Sequence, residues 1–366
     1  MKNNELNCDR PFNFLLKATN RGLAIKSISL IFIFMLSSSC YVSRQVWHHG
    51  HLLISRQKIS EVIENTEIDP TTRTKLLKAR EIVEFARQIG LYVDNSYEYF
   101  IETHTPVVSY LVQAAFADRL EFRTWWFPFV GRVPYLGFYD QSERDELAKD
   151  LELEGYDVKR GAAGAFSSLG WFQDPLFSSM LRRTESSLAH LLFHELTHRT
   201  IWIQNSPEFN ENFAEFVAYI LTRDYLIQNQ QTDALSLYEQ HIRDKEKFRL
   251  WLLALKNDLI TLYSKKLPPN KLHPEKKRIF QNYQLQPKKP LFERIDYVGD
   301  ADQPWNNASV LASSLYTPDV ERFAKSFKCF QNVPQKIGAF ITALKLEVQI
   351  EPDPDKALLK LCKRSL

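Results

Sequence analysis

The sequence predicts an α+β fold that is predominantly α-helical, with a small sheet that precedes the helical core. Aromatic residues and prolines crowd residues 92–139, a composition typical of short strands and turns. Apolar residues then recur at helical spacing almost continuously over residues 184–264. Neither a repeat nor a low-complexity tract divides the chain, so we expect one main domain.

The remaining elements are predicted from the same patterns. Residues 54–90 have helical spacing that Pro70 interrupts, and residues 141–153 predict another helix. A small-residue turn is expected at 161–164, followed by a strand at 165–172. Four further helices are expected after a loop at 267–270, at residues 276–283, 308–315, 319–328 and 337–346.

Charge and cysteine content exclude two classes of site. Lys and Arg number 47 against 44 Asp and Glu, a formal net charge of +3, which argues against nucleic acid as a partner. The four cysteines, Cys8, Cys40, Cys329 and Cys362, include no CxxC pair, which excludes a cysteine zinc site. Cys329 and Cys362 could form one disulfide or remain two free thiols.

The apolar segment 188–198 carries a His-Glu-x-x-His motif at His194, Glu195 and His198. Positions four apart on an α-helix lie about 40° apart around the axis and about 6 Å along it, so both histidines project from one face. Glu195 is rotated by about 100° from His194 and can reach a water on the metal. Two imidazoles that bind and one carboxylate that takes a proton suit a zinc hydrolase.

A third ligand is expected on the next helix. Ser206 and Pro207 are a helix start, and a short loop would bring that helix back antiparallel to the first. Glu211 could then face His198 and complete the metal site. Glu215 lies one turn later on the same face, where it could orient a ligand imidazole or be the ligand itself.

The motif followed by the Asn210–Glu211 pair resembles the gluzincin metallopeptidases, which include thermolysin and many zinc aminopeptidases. The resemblance implies a zincin-like fold, Glu211 as the third zinc ligand and Glu215 as an acidic residue that orients a ligand. Twelve residues separate His198 from Glu211, a shorter spacer than is usual in that clan.

The chain is also similar to a family of bacterial proteins described as predicted aminopeptidases. The resemblance rests on residues 127–138 and 165–175, on the helices of the His-Glu-x-x-His motif and the Asn210–Glu211 pair, and on residues 305–308. The resemblance implies a zinc peptidase, and Glu215 and Glu208 are nearby acids that could pair with a substrate amine. The strand expected at 165–172 precedes the active helix, as the peptide-pairing edge strand does in the gluzincin clan. A plain core strand fits the sequence equally.

An oxyanion-stabilising residue is expected near the metal. The candidates are Tyr316, Tyr135 and Tyr219, and we favour Tyr316 because it follows the 305–308 block. For each tyrosine, packing in the core is the alternative interpretation.

The N-terminus predicts export. An apolar run at 28–36 follows Lys17, Arg21 and Lys26 and precedes three serines and Cys40, which is the layout of an export signal. Cys40 resembles the acylated cysteine of bacterial lipoproteins, and another membrane anchor or plain secretion are the alternatives. We therefore expect an export or anchor segment at 1–40, a membrane-proximal helical region at 41–90 and a catalytic domain at 91–366.

Together these features predict a zinc-dependent peptidase of the bacterial cell envelope, with one Zn²⁺ ion, a peptide or protein substrate and a membrane attachment through lipid or apolar residues. Glu195 would be the general base. The alternatives are an envelope zinc endopeptidase and a non-catalytic lipoprotein that binds a metal or a partner protein.

Overall fold

The computed structural model describes residues 55–103, 107, 109–127, 131–163, 174–284, 305–315, 319–332 and 335–364. The described residues belong to one compact unit, Ser55–Leu366. The predicted export segment with Cys40, the predicted strand at 165–172 and Tyr316 lie outside the described residues.

Helices dominate the described part of the chain, as predicted. Eleven α-helices are described there: α1 (Ile59–Glu64), α2 (Pro70–Ile89), α3 (Gln141–Leu153), α4 (Glu185–Thr200), α5 (Pro207–Gln228), α6 (Thr232–Ser264), α7 (Pro269–Gln284), α8 (Asn307–Leu315), α9 (Glu321–Phe327), α10 (Lys336–Glu347) and α11 (Pro354–Arg364). The α+β fold class is thus confirmed, while the zincin-like fold stays a prediction. Helix α11 was not anticipated.

The strands are short and fall into three small sheets. Eight are described: β1 (Gln57–Lys58), β2 (Tyr99–Ile101), β3 (Ser109–Ala115), β4 (Trp125–Phe127), β5 (Gly131–Val133), β6 (Leu136–Phe138), β7 (Asp157–Ala163) and β8 (Leu176–Phe177). The sheet orders are β1-β2-β8, β6-β3-β7 and β4-β5. Only the β2–β8 pair among these is parallel.

One predicted turn is wrong. Residues 161–163 of the expected small-residue turn lie in β7, which pairs with β3 over the whole length of both strands. Gly161 lies opposite Leu111 in this register. The continuous antiparallel ladder outweighs the local turn preference of small residues, because strand conformation is decided by pairing and packing more than by intrinsic propensity.

Helix α2 shows how the start of the described chain joins the core. Asp69 caps it by accepting a hydrogen bond from the Thr72 amide at 2.8 Å, and Pro70 occupies its first turn. Its C-cap Gly90 has a φ of 95°, a conformation that glycine adopts without strain. Phe85 of α2 packs on Phe193 of α4 with ring centroids 5.7 Å apart.

The C-terminal helices form the support behind α5. The rings of Phe213 and Phe216 in α5 pack against Phe323 of α9, with centroids 5.5 and 6.0 Å apart. Both rings also pack against Phe340 of α10, with centroids 6.0 Å apart in each case. A disulfide between Cys329 and Cys362 joins the turn after α9 to α11. The structure therefore selects the disulfide over the two free thiols.

The 305–308 block has a structural role. The backbone N–H of its buried Asn307 donates a hydrogen bond to the Asp157 carboxylate at 2.7 Å. The side-chain oxygen of Asn307 accepts one from the Tyr263 hydroxyl at 2.7 Å. The Asn307 side-chain amide donates to the Phe116 carbonyl at 2.8 Å. These bonds join the β3–β7 sheet to α6 and α8. No helix among the described residues is long and apolar enough to cross a bilayer.

Candidate metal centre

Helix α4 presents the His-Glu-x-x-His motif from the core. Thr184 caps the helix and accepts a hydrogen bond from the Ser187 amide at 3.2 Å. One face is fully buried through residues such as Leu192 and Leu196, while His194 and Glu195 on the other side are only partly buried. The helix is fixed by its apolar face, so the orientation of its polar face is fixed as well.

The turn after α4 is fixed by Asn210 of the Asn210–Glu211 pair. The buried Asn210 side chain accepts a hydrogen bond from the Ile203 amide at 3.0 Å and donates one to the Ile203 carbonyl at 2.8 Å. This two-point contact holds the loop against the first turns of α5. As predicted, α5 begins with Pro207 after Ser206, although the Ser206 side chain makes no capping hydrogen bond.

Helix α5 returns antiparallel to α4, so that three side chains converge. We call His194, His198 and Glu211 the ligand cluster. The two Nε2 atoms of His194 and His198 lie 3.1 Å apart. The Glu211 carboxylate oxygens lie 3.3 Å from each of these nitrogens, Oε2 from that of His194 and Oε1 from that of His198.

The ligand cluster fits a small divalent ion. A tetrahedral ion with ligand bonds of about 2.0–2.2 Å places its donor atoms about 3.3–3.6 Å apart. The observed separations of 3.1–3.3 Å approach this range. The His198 side chain is 4% exposed and the Glu211 side chain 45%, so the cluster is anchored in the core and open to solvent on one side. Three protein ligands with one open direction is the arrangement of catalytic zinc sites.

The electrostatics of the ligand cluster favour a cation. Burial opposes a charge on His194, but hydrogen bonds to Glu211 and Glu215 outweigh it and raise the pKa of His194 to about 9. Burial also works to raise the pKa of Glu211, but hydrogen bonds from His194 and His198 lower it to about 2. The same attraction for positive charge would act on a metal ion.

A second group of titratable residues lies one helical turn closer to the start of α4, and we call His190, Glu215, Tyr238 and Lys245 the support cluster. His190 Nε2 lies 3.1 Å from Glu215 Oε2, and His190 Nδ1 lies 2.7 Å from the Tyr238 hydroxyl. Lys245 forms an ion pair with the other Glu215 oxygen. Nδ1 of His194 lies 3.6 Å from Glu215 Oε2, which links the two clusters.

His190, His194 and Glu215 also bring donor atoms close enough for a metal ion. However, the Glu215 side chain is 12% exposed, and Lys245 neutralises its charge. Burial by itself would raise the pKa of Glu215. The neighbouring His190, His194 and Lys245 outweigh burial, so the pKa lies well below its usual value. A carboxylate already paired with an ammonium group is a poor metal ligand, so the support cluster is better suited to orienting His194.

The other predicted site residues have different environments. Tyr135 is exposed between β5 and β6, and Glu208 is exposed in the first turn of α5. Tyr219 stacks on Tyr238 with ring centroids 6.2 Å apart, and burial raises its pKa. The role of Tyr316 stays a prediction because it lies outside the described residues.

Sequence reasoning assigned no role to several residues around the clusters. His190 precedes His194 by four positions, so helical spacing alone could have placed it on the same face. Tyr238 and Lys245 come from α6, and no local pattern indicates their approach. Tyr97 is buried and has a positive φ of 62°. Its pKa lies well above the usual value, mainly because the side chain is buried and also because of the negative charge of Glu195. The Trp202 ring lies 5.4 Å from the His198 ring, centroid to centroid.

Comparison with known families identifies the chain. The sequence profile of a family described as "Putative aminopeptidase" matches residues 40–358. The chain belongs to this family. No curated protein and no solved structure matches the chain significantly. The match includes the residues of both clusters and the 305–308 block, and it ends at residue 358, within α11.

Proposed function

We propose that the protein is a zinc-dependent peptidase, and more specifically an aminopeptidase. His194, His198 and Glu211 would hold the ion and Glu195 would be the general base. Two imidazole nitrogens lie 3.1 Å apart, and each is 3.3 Å from one oxygen of the Glu211 carboxylate; this convergence, with Glu195 beside His194 on α4, carries the proposal. Membership of the aminopeptidase family supports the choice of peptide substrates.

When bound, a zinc ion supplies Lewis acidity to a water molecule and to the scissile carbonyl. Glu195 removes the proton of the attacking water and passes it to the nitrogen of the leaving amine. Glu195 is partly buried, and its charge is close enough to His194 to help raise the pKa of that imidazole, which supports this role. Glu215 keeps the His194 ring in one orientation.

An aminopeptidase and an endopeptidase differ in their need for a free substrate amine. The full-length protein should be assayed on peptides with free and with N-acetylated termini, with and without chelator. Cleavage of free peptides alone, lost with chelator and restored by Zn²⁺, supports the aminopeptidase. Cleavage of both kinds indicates the endopeptidase. Metal binding without cleavage of either would leave only the non-catalytic lipoprotein.

We also propose that the protein is exported and held in the bacterial envelope by lipid on Cys40. The Cys329–Cys362 disulfide supports an oxidising compartment outside the cytoplasm. The test is incorporation of labelled palmitate in a bacterial host, with Cys40→Ala beside the wild type. Labelling that persists in Cys40→Ala would contradict lipidation of that residue.

A further inference from the structure

The two histidines of the ligand cluster are held in different ways. Each offers Nε2 to the cluster, and the other ring nitrogen is free to be anchored. His194 directs Nδ1 toward Glu215, which is itself held by His190 and Lys245. A metal-binding imidazole normally donates its second N–H to such an acceptor, which fixes the tautomer and the ring plane.

His198 has no such anchor among the described residues. Its side chain is 4% exposed, and its Nδ1 atom is fully enclosed without a hydrogen-bond partner there. A buried ring without an anchor could rotate about its χ2 angle and move Nε2 away from the cluster. Within the described part of the chain, the orientation of His198 is therefore set by packing.

Trp202 supplies that packing. Its ring lies edge-to-face against the His198 ring, with centroids 5.4 Å apart and an interplanar angle of 71°. This is a preferred geometry for aromatic pairs. The Trp202 backbone is fixed as well, because it precedes Ile203, whose amide and carbonyl are both bound by Asn210.

The exposure of Trp202 also suggests a role beyond core packing. The side chain remains 44% exposed although tryptophan has a large apolar surface. Trp202 lies two residues after the end of α4, where its ring contacts His198. Because it is half exposed, its removal should leave the core intact.

We infer that Trp202 is a positioning residue that holds the His198 imidazole in the orientation needed for metal binding. The inference rests on the proposed metal site. Edge-to-face ring pairs change an equilibrium by about 2- to 12-fold, so loss of the Trp202 ring should weaken Zn²⁺ binding by this factor. The weakening should arise at His198 and leave His194 unaffected.

The test is Zn²⁺ affinity of the full-length protein, measured by competition with a chelating dye. Trp202→Ala and Trp202→Leu remove the ring, while Trp202→Phe keeps an aromatic edge. Trp126→Ala removes another exposed tryptophan, which lies in β4, and is the matched control. Thermal unfolding of each variant verifies that the fold is retained. The visible absorption of bound Co²⁺ reports the ligand geometry independently of activity.

We expect weaker Zn²⁺ binding and an altered Co²⁺ spectrum in Trp202→Ala and Trp202→Leu, with near-normal values in Trp202→Phe and Trp126→Ala. Wild-type affinity in both ring-deleted variants would overturn the inference and leave the proposed function standing. Failure of Trp202→Phe to restore binding would also overturn it. A wild-type protein that binds neither ion would overturn the proposed function itself.

Discussion

The ligand cluster and the support cluster lie on the same two helices, yet they suit different tasks. Each contains histidine of α4 and one glutamate of α5, and the support cluster adds Tyr238 and Lys245 of α6. The carboxylate of Glu211 is 45% exposed and contacts only imidazoles among the partners described for it. The carboxylate of Glu215 is 12% exposed and also carries the Lys245 ammonium group.

The difference between the two clusters comes from a third element of the fold. Helix α6 brings Tyr238 and Lys245 against the support cluster and satisfies it with hydrogen bonds and charge. The ligand cluster lies beyond these α6 residues and stays open to solvent. Composition and spacing alone would not distinguish the two groups.

The largest effect is expected from removal of a ligand. His198→Ala and Glu211→Ala should each lose stoichiometric zinc, because two donors rarely hold the ion against competition by water. Elemental analysis of the purified full-length variants measures this directly. His190→Ala in the support cluster is the control and should retain the metal. Zinc retained in Glu211→Ala but lost in His190→Ala would reverse the assignment of the two clusters.

The next largest effect concerns the proposed base. Glu195→Gln keeps the shape of the side chain but cannot accept a proton, so kcat should fall by about 10²- to 10⁴-fold. Zinc content should equal that of the wild type because Glu195 is not among the metal ligands. Steady-state kinetics and metal analysis of the same sample separate the two effects. Unchanged kcat would remove Glu195 from the mechanism.

A smaller effect is expected in the support cluster. Glu215→Ala deprives the His194 ring of its acceptor, and loss of such a partner typically weakens metal affinity by about 10- to 100-fold. Glu208→Ala is the control, since Glu208 is an exposed acid on the same helix. Dye competition measures both. Equal affinities in the two variants would mean that Glu215 does not orient His194.

The last effect is a dependence of metal affinity on pH, and over one pH unit it should not exceed the effect of Glu215→Ala. In the absence of metal, His194 is protonated below its raised pKa of about 9, so the ion must displace a proton. Affinity should therefore rise by about tenfold per pH unit as the pH approaches 9, and level off above it. Glu211, with its pKa lowered to about 2, stays ionised throughout this range. Affinity that falls with rising pH between 7 and 9 would contradict this.

The amino-acid pattern predicted local features well. Helical spacing correctly placed His194 and His198 on one face, and Pro207 correctly indicated the start of α5. It also predicted the antiparallel return that brings Glu211 to both imidazoles. These features depend on neighbours within about four positions or on a short loop.

Features that depend on distant contacts could not be predicted in this way. Lys245 reaches Glu215 across 30 positions, and only the packing of α6 brings them together. The same limit explains the wrong turn at 161–164, since the ladder between β3 and β7 joins residues about 50 positions apart in the chain. Trp202 lies close to His198 in sequence, but its ring orientation depends on the loop that Asn210 holds.

The most direct test of the metal site is X-ray diffraction from crystals grown with Zn²⁺, with data collected on both sides of the zinc absorption edge. An anomalous difference peak should appear between His194 Nε2, His198 Nε2 and the Glu211 carboxylate, and it should be the only one on the two helices. A peak between His190, His194 and Glu215 instead, or none at either cluster, would contradict the account.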